Sequence, residues 1–80
     1  MMSQPTWHFV RVLGHAGGSA LSVDPQDDGR ASGVRIGWFP TMVPLSLVPA
    51  DLRLPNSVFW VASSADRELV SVSRHRPLGA

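Results

Sequence analysis

Val58-Phe59-Trp60-Val61-Ala62, a polar stretch from Ser63 to Arg67, and then Glu68-Leu69-Val70-Ser71-Val72-Ser73-Arg74 decide the fold of this chain. β-branched and aromatic side chains pack well on a pleated surface, and side chains along a strand alternate between its two faces. Val70 and Val72 are therefore expected to face inward, with Ser71 and Ser73 outward. Ala65-Asp66-Arg67-Glu68 supplies the reversal, so the segment predicts an antiparallel hairpin.

Working back from this hairpin, prolines control the reading between Phe39 and Pro55, because each removes a backbone donor and is confined to edges, first residues or bulges of a sheet. Val43, Leu45 and Leu47 still alternate with Pro44 and Ser46, which predicts an edge strand over Val43–Val48. A single helical turn over Ala50–Arg53 is expected after Pro49. Val34-Arg35-Ile36-Gly37-Trp38 also alternates, with Val34, Ile36 and Trp38 on one face. Before it, residues 25–33 are almost devoid of apolar side chains and read as an exposed loop. Thr6–Leu13 is dense in aromatic and β-branched residues and reads as a strand. Gly14 to Ser19 then turns the chain into a hairpin with Ala20–Asp24.

No stretch longer than a turn has helical periodicity, and turn signals recur at short spacing. The fold class is all-β: a small antiparallel barrel or sandwich of five to six strands, SH3-like or OB-like in size, with at most one short helical turn near residues 50–53. Closure into a barrel is the expected form, because closure removes edges that would pair with another chain. The 80 residues form one domain with room for one core; residues 1–5 and 76–80 are expected to fray.

Composition limits function more than it reveals it. The chain has no cysteine, which excludes disulfides and thiolate metal sites, and its formal charge is only +1, too small for a strong field toward polyanions. Residues 1–6 lack the basic and apolar regions of a secretory signal, and prolines interrupt the most apolar segment well before membrane-spanning length. These features predict a soluble, cytoplasmic protein without membrane association.

The search for catalytic chemistry returns little. His8, His15 and His75 are candidate bases, yet they occupy unrelated contexts, and no Gly-x-Ser-x-Gly elbow accompanies them. Asp24, Asp27, Asp28, Asp51, Asp66 and Glu68 fall in or beside predicted turns, where carboxylates normally bond backbone amides. Asp24-Pro25-Gln26-Asp27-Asp28-Gly29 begins like a calcium loop, but its twelfth position is Arg35 where a bidentate glutamate is required. The glycine cluster from Gly14 to Gly18 lacks the Gly-Lys-Ser/Thr of a P-loop, and the histidine spacings fit no zinc signature. No cofactor and no metal are expected, and enzymatic activity through His15 or His8 is the weakest reading.

Gly37-Trp38-Phe39-Pro40 is similar to the Gly-Trp-Phe-Pro segment of SH3 domains, in which the tryptophan precedes residues that help form a groove for proline-rich peptides. The similarity covers four residues. Thr41-Met42-Val43 follow where SH3 domains carry a tyrosine, this chain has no tyrosine, and half of it still remains. The resemblance implies a barrel at most, and the proline-rich ligand does not carry over.

What remains is binding. Trp7, Trp38 and Trp60 with Phe9, Phe39 and Phe59 are a large aromatic load for one small core, since each large ring has about 150–250 Å² to bury. On strand alternation, Phe39, Phe59 and Val61 project away from Trp38 and Trp60 and form an exposed apolar patch if one sheet face is solvated. The expected function is a non-enzymatic protein-binding or accessory module using Trp38, Phe39, Met42, Phe59 and Val61, with self-association as a homodimer favoured. The alternative is a small barrel that binds single-stranded nucleic acid, with Arg35, Arg74 and Arg76 on phosphates and aromatic rings under the bases.

Overall fold

A computed structural model describes residues 5–27, 38–78 and 80 of the chain. Among these residues are five strands: β1 (Thr6–Ala16), β2 (Ala20–Pro25), β3 (Met42–Pro44), β4 (Val58–Ser63) and β5 (Leu69–Ser73). They form one sheet in the order β3-β2-β1-β4-β5, and every neighbouring pair is antiparallel. The expected all-β antiparallel architecture of five to six strands is what the chain adopts, with five strands among the described residues. Among the described residues the sheet curls into a half-barrel, with β3 and β5 at its two ends and not paired with each other.

Alternation builds the core. On β1, Val10 and Val12 point to the same side as Phe59 and Val61 of β4, since Val10 lies opposite Phe59 and His8 opposite Val61. Leu21 and Val23 of β2 and Val43 of β3 complete this inner layer, in which every one of these side chains is buried. A register shift between Val12 and Gly14 bends β1, the effect expected of a bulge. Gly17 turns the chain into β2 with φ of 71°, a conformation glycine adopts without a Cβ penalty.

The segment between β3 and β4 covers the inner face. Expected as a strand through Val48, it leaves the sheet after Pro44 and forms two 3-10 turns, Leu45–Leu47 and Ala50–Leu52. Pro44 and Pro49 precede these turns with φ of −59° and −57°, the value the pyrrolidine ring imposes. Leu45, Leu47 and Leu52 pack against the core, and Val48 is buried within it. The Arg53 guanidinium locks the crossover by donating from Nε to the Val48 carbonyl at 2.9 Å and from Nη2 to the Leu45 carbonyl at 3.0 Å. The Leu45 carbonyl also accepts from the Val48 amide at 3.1 Å, so Arg53 adds a second, charged donor there and supplies one to the Val48 carbonyl just beyond the turn.

Several expectations change. Phe59 and Val61 are fully buried in the core, so they cannot belong to an exposed patch. The alternation holds, but the inner side is the one that carries Phe59, because the apolar crossover covers that face and the opposite face holds Trp60. Trp60 is nevertheless buried too, stacked on Phe9 with 4.9 Å between centroids and covered by Arg76, whose guanidinium carbon lies 5.1 Å from the ring centroid. Arg76, three residues beyond β5, thus lies back over the outer face of the sheet. Val70 is exposed and not inward-facing, because a register shift between Ala62 and Ser63 leaves it outside the pairing with β4. The strand expected at residues 34–38 lies outside the described residues except for Trp38, which is not in a strand. Most of the expected loop, residues 28–33, lies outside them as well.

Candidate functional site

Among the described residues, the two ends of the half-barrel meet around one opening, with Met42 and Pro44 of β3 on one side and Leu69 at the start of β5 on the other. Between them lies a cleft of about 470 Å³. Trp38 forms one wall, Ser19 and Ala20 of the first hairpin form another, and Arg67 and Glu68 of the β4–β5 turn stand at the rim. Trp38 is 36% exposed and Met42 55% exposed, both unusually open for residues of their type.

Local sequence explains how each wall is held. Ser64 to Glu68 is a three-residue hairpin loop: the Arg67 amide donates to the Ser64 carbonyl at 2.9 Å, and the Ser64 amide donates to the Glu68 carbonyl at 2.8 Å. Arg67 closes the loop with φ of 65°, the left-handed position that follows a type I turn in such hairpins. That geometry brings Arg67 and Glu68 side by side at the rim. On the opposite wall, the Val23 amide donates to the Thr41 carbonyl at 2.9 Å and the Leu45 amide to the Ser19 carbonyl at 2.9 Å. Hydrogen bonding alternates along an antiparallel pair, so the Val43 amide and carbonyl face β2, whereas those of Met42 face the open edge. Pro44 also faces the edge and has no N–H to offer, a common way of blunting an exposed strand. The edge at the cleft therefore offers one amide, on Met42, and its recognition capacity resides mainly in side chains.

Of the residues expected to bind a partner, the structure brings Trp38 and Met42 together in this cleft. Phe39 is partly buried and turns to the inner layer, where its ring meets the His8 imidazole edge-on at 6.0 Å. Phe59 and Val61 are in the core. Leu69, Pro44, Ala20, Arg67 and Glu68 join the site without having been singled out in the sequence, since only the curl of the sheet sets β3 opposite the β4–β5 turn.

The arginines of the nucleic-acid alternative do not form a shared surface among the described residues. Arg74 grips Asp51 of the second 3-10 turn in a forked ion pair, with Nη2 donating to Oδ1 at 2.7 Å and Nη1 donating to Oδ2. That pair lowers the Asp51 pKa, chiefly by the hydrogen bond from Arg74, and raises that of Arg74. Arg76 lies over Trp60, and Arg35 falls outside the described residues.

His8 is buried on the inner face, with Nε2 2.8 Å from Ser63 Oγ, and its ring meets Trp38 edge-on at 5.9 Å. Ser63 is itself buried, so the pair serves to satisfy two polar groups inside the fold. His15 and His75 are exposed. Among the described residues no group of three or more histidines and carboxylates could hold a metal ion, and no helix is long and apolar enough to cross a membrane.

Comparison of the chain with protein-family models, with curated proteins and with solved structures gave no match.

Proposed function

We propose that the protein is a non-enzymatic interaction module that takes an apolar segment of a partner protein into the cleft between β3 and the β4–β5 turn. The observation that carries this reading is the convergence of Trp38, Met42 and Leu69 on one cleft with Arg67 and Glu68 at its rim. Apolar floors with polar rims are the usual anatomy of protein-binding surfaces, and tryptophan is prominent among the residues that dominate their energetics. Pro44 at the strand edge disfavours a continuous added strand and favours insertion of one or two large apolar side chains. The paired charges at the rim favour a segment whose flanks are polar rather than uniformly acidic or basic.

The test is to pan a displayed random-peptide library against the full chain and measure selected peptides by fluorescence or calorimetry. Selected sequences should share a large aliphatic or aromatic anchor. Met42→Asp should weaken them by about tenfold or more, the scale of an interface hot spot, while circular dichroism stays unchanged. Failure to select any peptide, or selected peptides indifferent to Met42→Asp and to Trp38→Ala, would refute the reading.

A further inference from the structure

Behind the cleft lies a buried polar pair. His8 of β1 and Ser63 of β4 both point into the inner layer, and His8 Nε2 stands 2.8 Å from Ser63 Oγ. Replacing such a pair by apolar side chains of the same shape is close to neutral for stability, so stability alone gives little reason for polar groups at this depth. What a buried hydrogen bond supplies beyond stability is a single arrangement. An imidazole rotates broadly about its second side-chain torsion, and the bond from His8 to a hydroxyl on the neighbouring strand narrows that rotation.

Two aromatic rings bear on that imidazole. Trp38 and Phe39, consecutive in the chain, meet it edge-on at 5.9 and 6.0 Å between centroids, with interplanar angles of 88° and 76°. Phe39 is partly buried and Pro40 fully buried, so the chain is anchored immediately after Trp38. Trp38 itself lies outside any strand, yet its ring forms a wall of the cleft. Leu69, across the opening from Met42, is the partner of Ser63 in the β4–β5 register, so this side of the cleft is backed by the same pair. His8 is only 8% exposed and stands behind the Trp38 wall rather than in it.

We infer that His8 and Ser63 are positioning residues of the cleft: the Ser63 hydroxyl fixes the imidazole, and the imidazole fixes the angle at which the Trp38 indole meets a bound segment. Neither residue touches the partner; both act through Trp38. Orientation matters because aromatic contacts favour particular geometries. A wall whose rotamer is locked by a second layer of hydrogen-bonded side chains is already in its bound arrangement, and it loses less freedom when the partner arrives. The effect of the pair on affinity rests on the cleft being the binding site proposed above, whereas its hold on Trp38 is a property of the free chain.

Labelling the full chain with fluorotryptophan places a fluorine on Trp7, Trp38 and Trp60, and fluorine NMR reads the three rings separately. Ser63→Ala frees the imidazole and should shift the Trp38 resonance, which is identified by its loss in Trp38→Leu. The Trp60 resonance should stay in place, since that ring stacks on Phe9 on the other face of the sheet. His8→Leu, of similar volume, should shift Trp38 at least as far. A merely structural role would move both rings alike or neither. For peptides selected on the cleft, Ser63→Ala and His8→Leu should each weaken binding by about fivefold, the scale of one oriented aromatic pair. In Trp38→Leu, which keeps an apolar wall without the ring, the same substitutions should change the remaining affinity by less than about twofold. A Trp38 resonance that ignores Ser63→Ala overturns the inference. So does a Trp60 resonance that moves as far as that of Trp38, or an equal loss of affinity with and without the indole. If no peptide binds, the cleft reading fails, and the resonances of the free chain still decide whether the pair holds Trp38.

Discussion

The forked pair between Arg74 and Asp51 joins the residue after β5 to the second 3-10 turn, and its pH dependence has a definite sign. The hydrogen bond from Arg74 holds the Asp51 carboxyl below its ordinary value, so the pair's contribution is present above the ordinary carboxylate range and is lost as pH falls through the lowered folded value. Arg74 is shifted upward, so its half of the linkage is lost only above the guanidinium range. Both side chains are substantially exposed and solvent screens them, so the effect on stability is small and the titration is the sensitive readout. In Arg74→Ala, NMR titration should find the Asp51 carboxyl back in the ordinary aspartate range; an unchanged titration would mean that the pair does not persist in solution. The buried contact between His8 and Ser63 behaves differently, because neither side chain can exchange its partner for bulk water. Ser63→Ala should cost about 1 kcal/mol in denaturant unfolding, the scale of one buried hydrogen bond.

At the level of elements, the β4–β5 turn and the crossover between β3 and β4 set the shape of the cleft. Arg67 sits at φ of 65°, where a Cβ is unfavourable by roughly 1–2 kcal/mol, and glycine removes that cost while adding freedom to the unfolded chain. Arg67→Gly should therefore raise stability by up to about 1 kcal/mol, measured as a shift in the urea midpoint without a change in slope. Arg53→Ala acts in the opposite sense, since the Val48 and Leu45 carbonyls lose a charged donor; a loss of about 1.5–3 kcal/mol is expected. The same elements show what could be read beforehand. The β4–β5 hairpin, β1 and its glycine turn were legible because alternation and turn chemistry are local. The 3-10 turn at Leu45–Leu47 was not, because Leu45 and Leu47 satisfy a strand pattern equally well, and only their packing over the concave core distinguishes the two. Val70 departs from the expected inward side for a related reason, since a bulge shifts the phase of alternation without leaving a mark in the sequence. Trp38 and Met42 were singled out as surface residues, but their meeting with Leu69 depends on the curl of the sheet, which no local pattern encodes.

For the molecule as a whole, the decisive question is which side of the sheet carries the core, since aromatic residues lie on both. The inner layer places Phe59 at its centre, fully buried among Val10, Val12, Leu21 and Val61, while the outer face buries Trp60 through Phe9 and Arg76. A chain of 80 residues has about 4–12 kcal/mol of net stability. Phe59→Ala removes the largest fully buried side chain and should cost about 3–5 kcal/mol, enough to bring the fold close to its unfolding threshold. Val58→Ala, one residue away on the exposed outer side, should change stability by no more than about 0.5 kcal/mol. Urea unfolding of the two variants reads this contrast directly. A ratio near one would mean that Phe59 is not the centre of a single core and that the crossover does not cover the inner face. The predicted asymmetry also separates folding from recognition: Met42 is more exposed than Val58, so Met42→Asp should leave the unfolding midpoint near that of the parent chain while removing one apolar wall of the cleft.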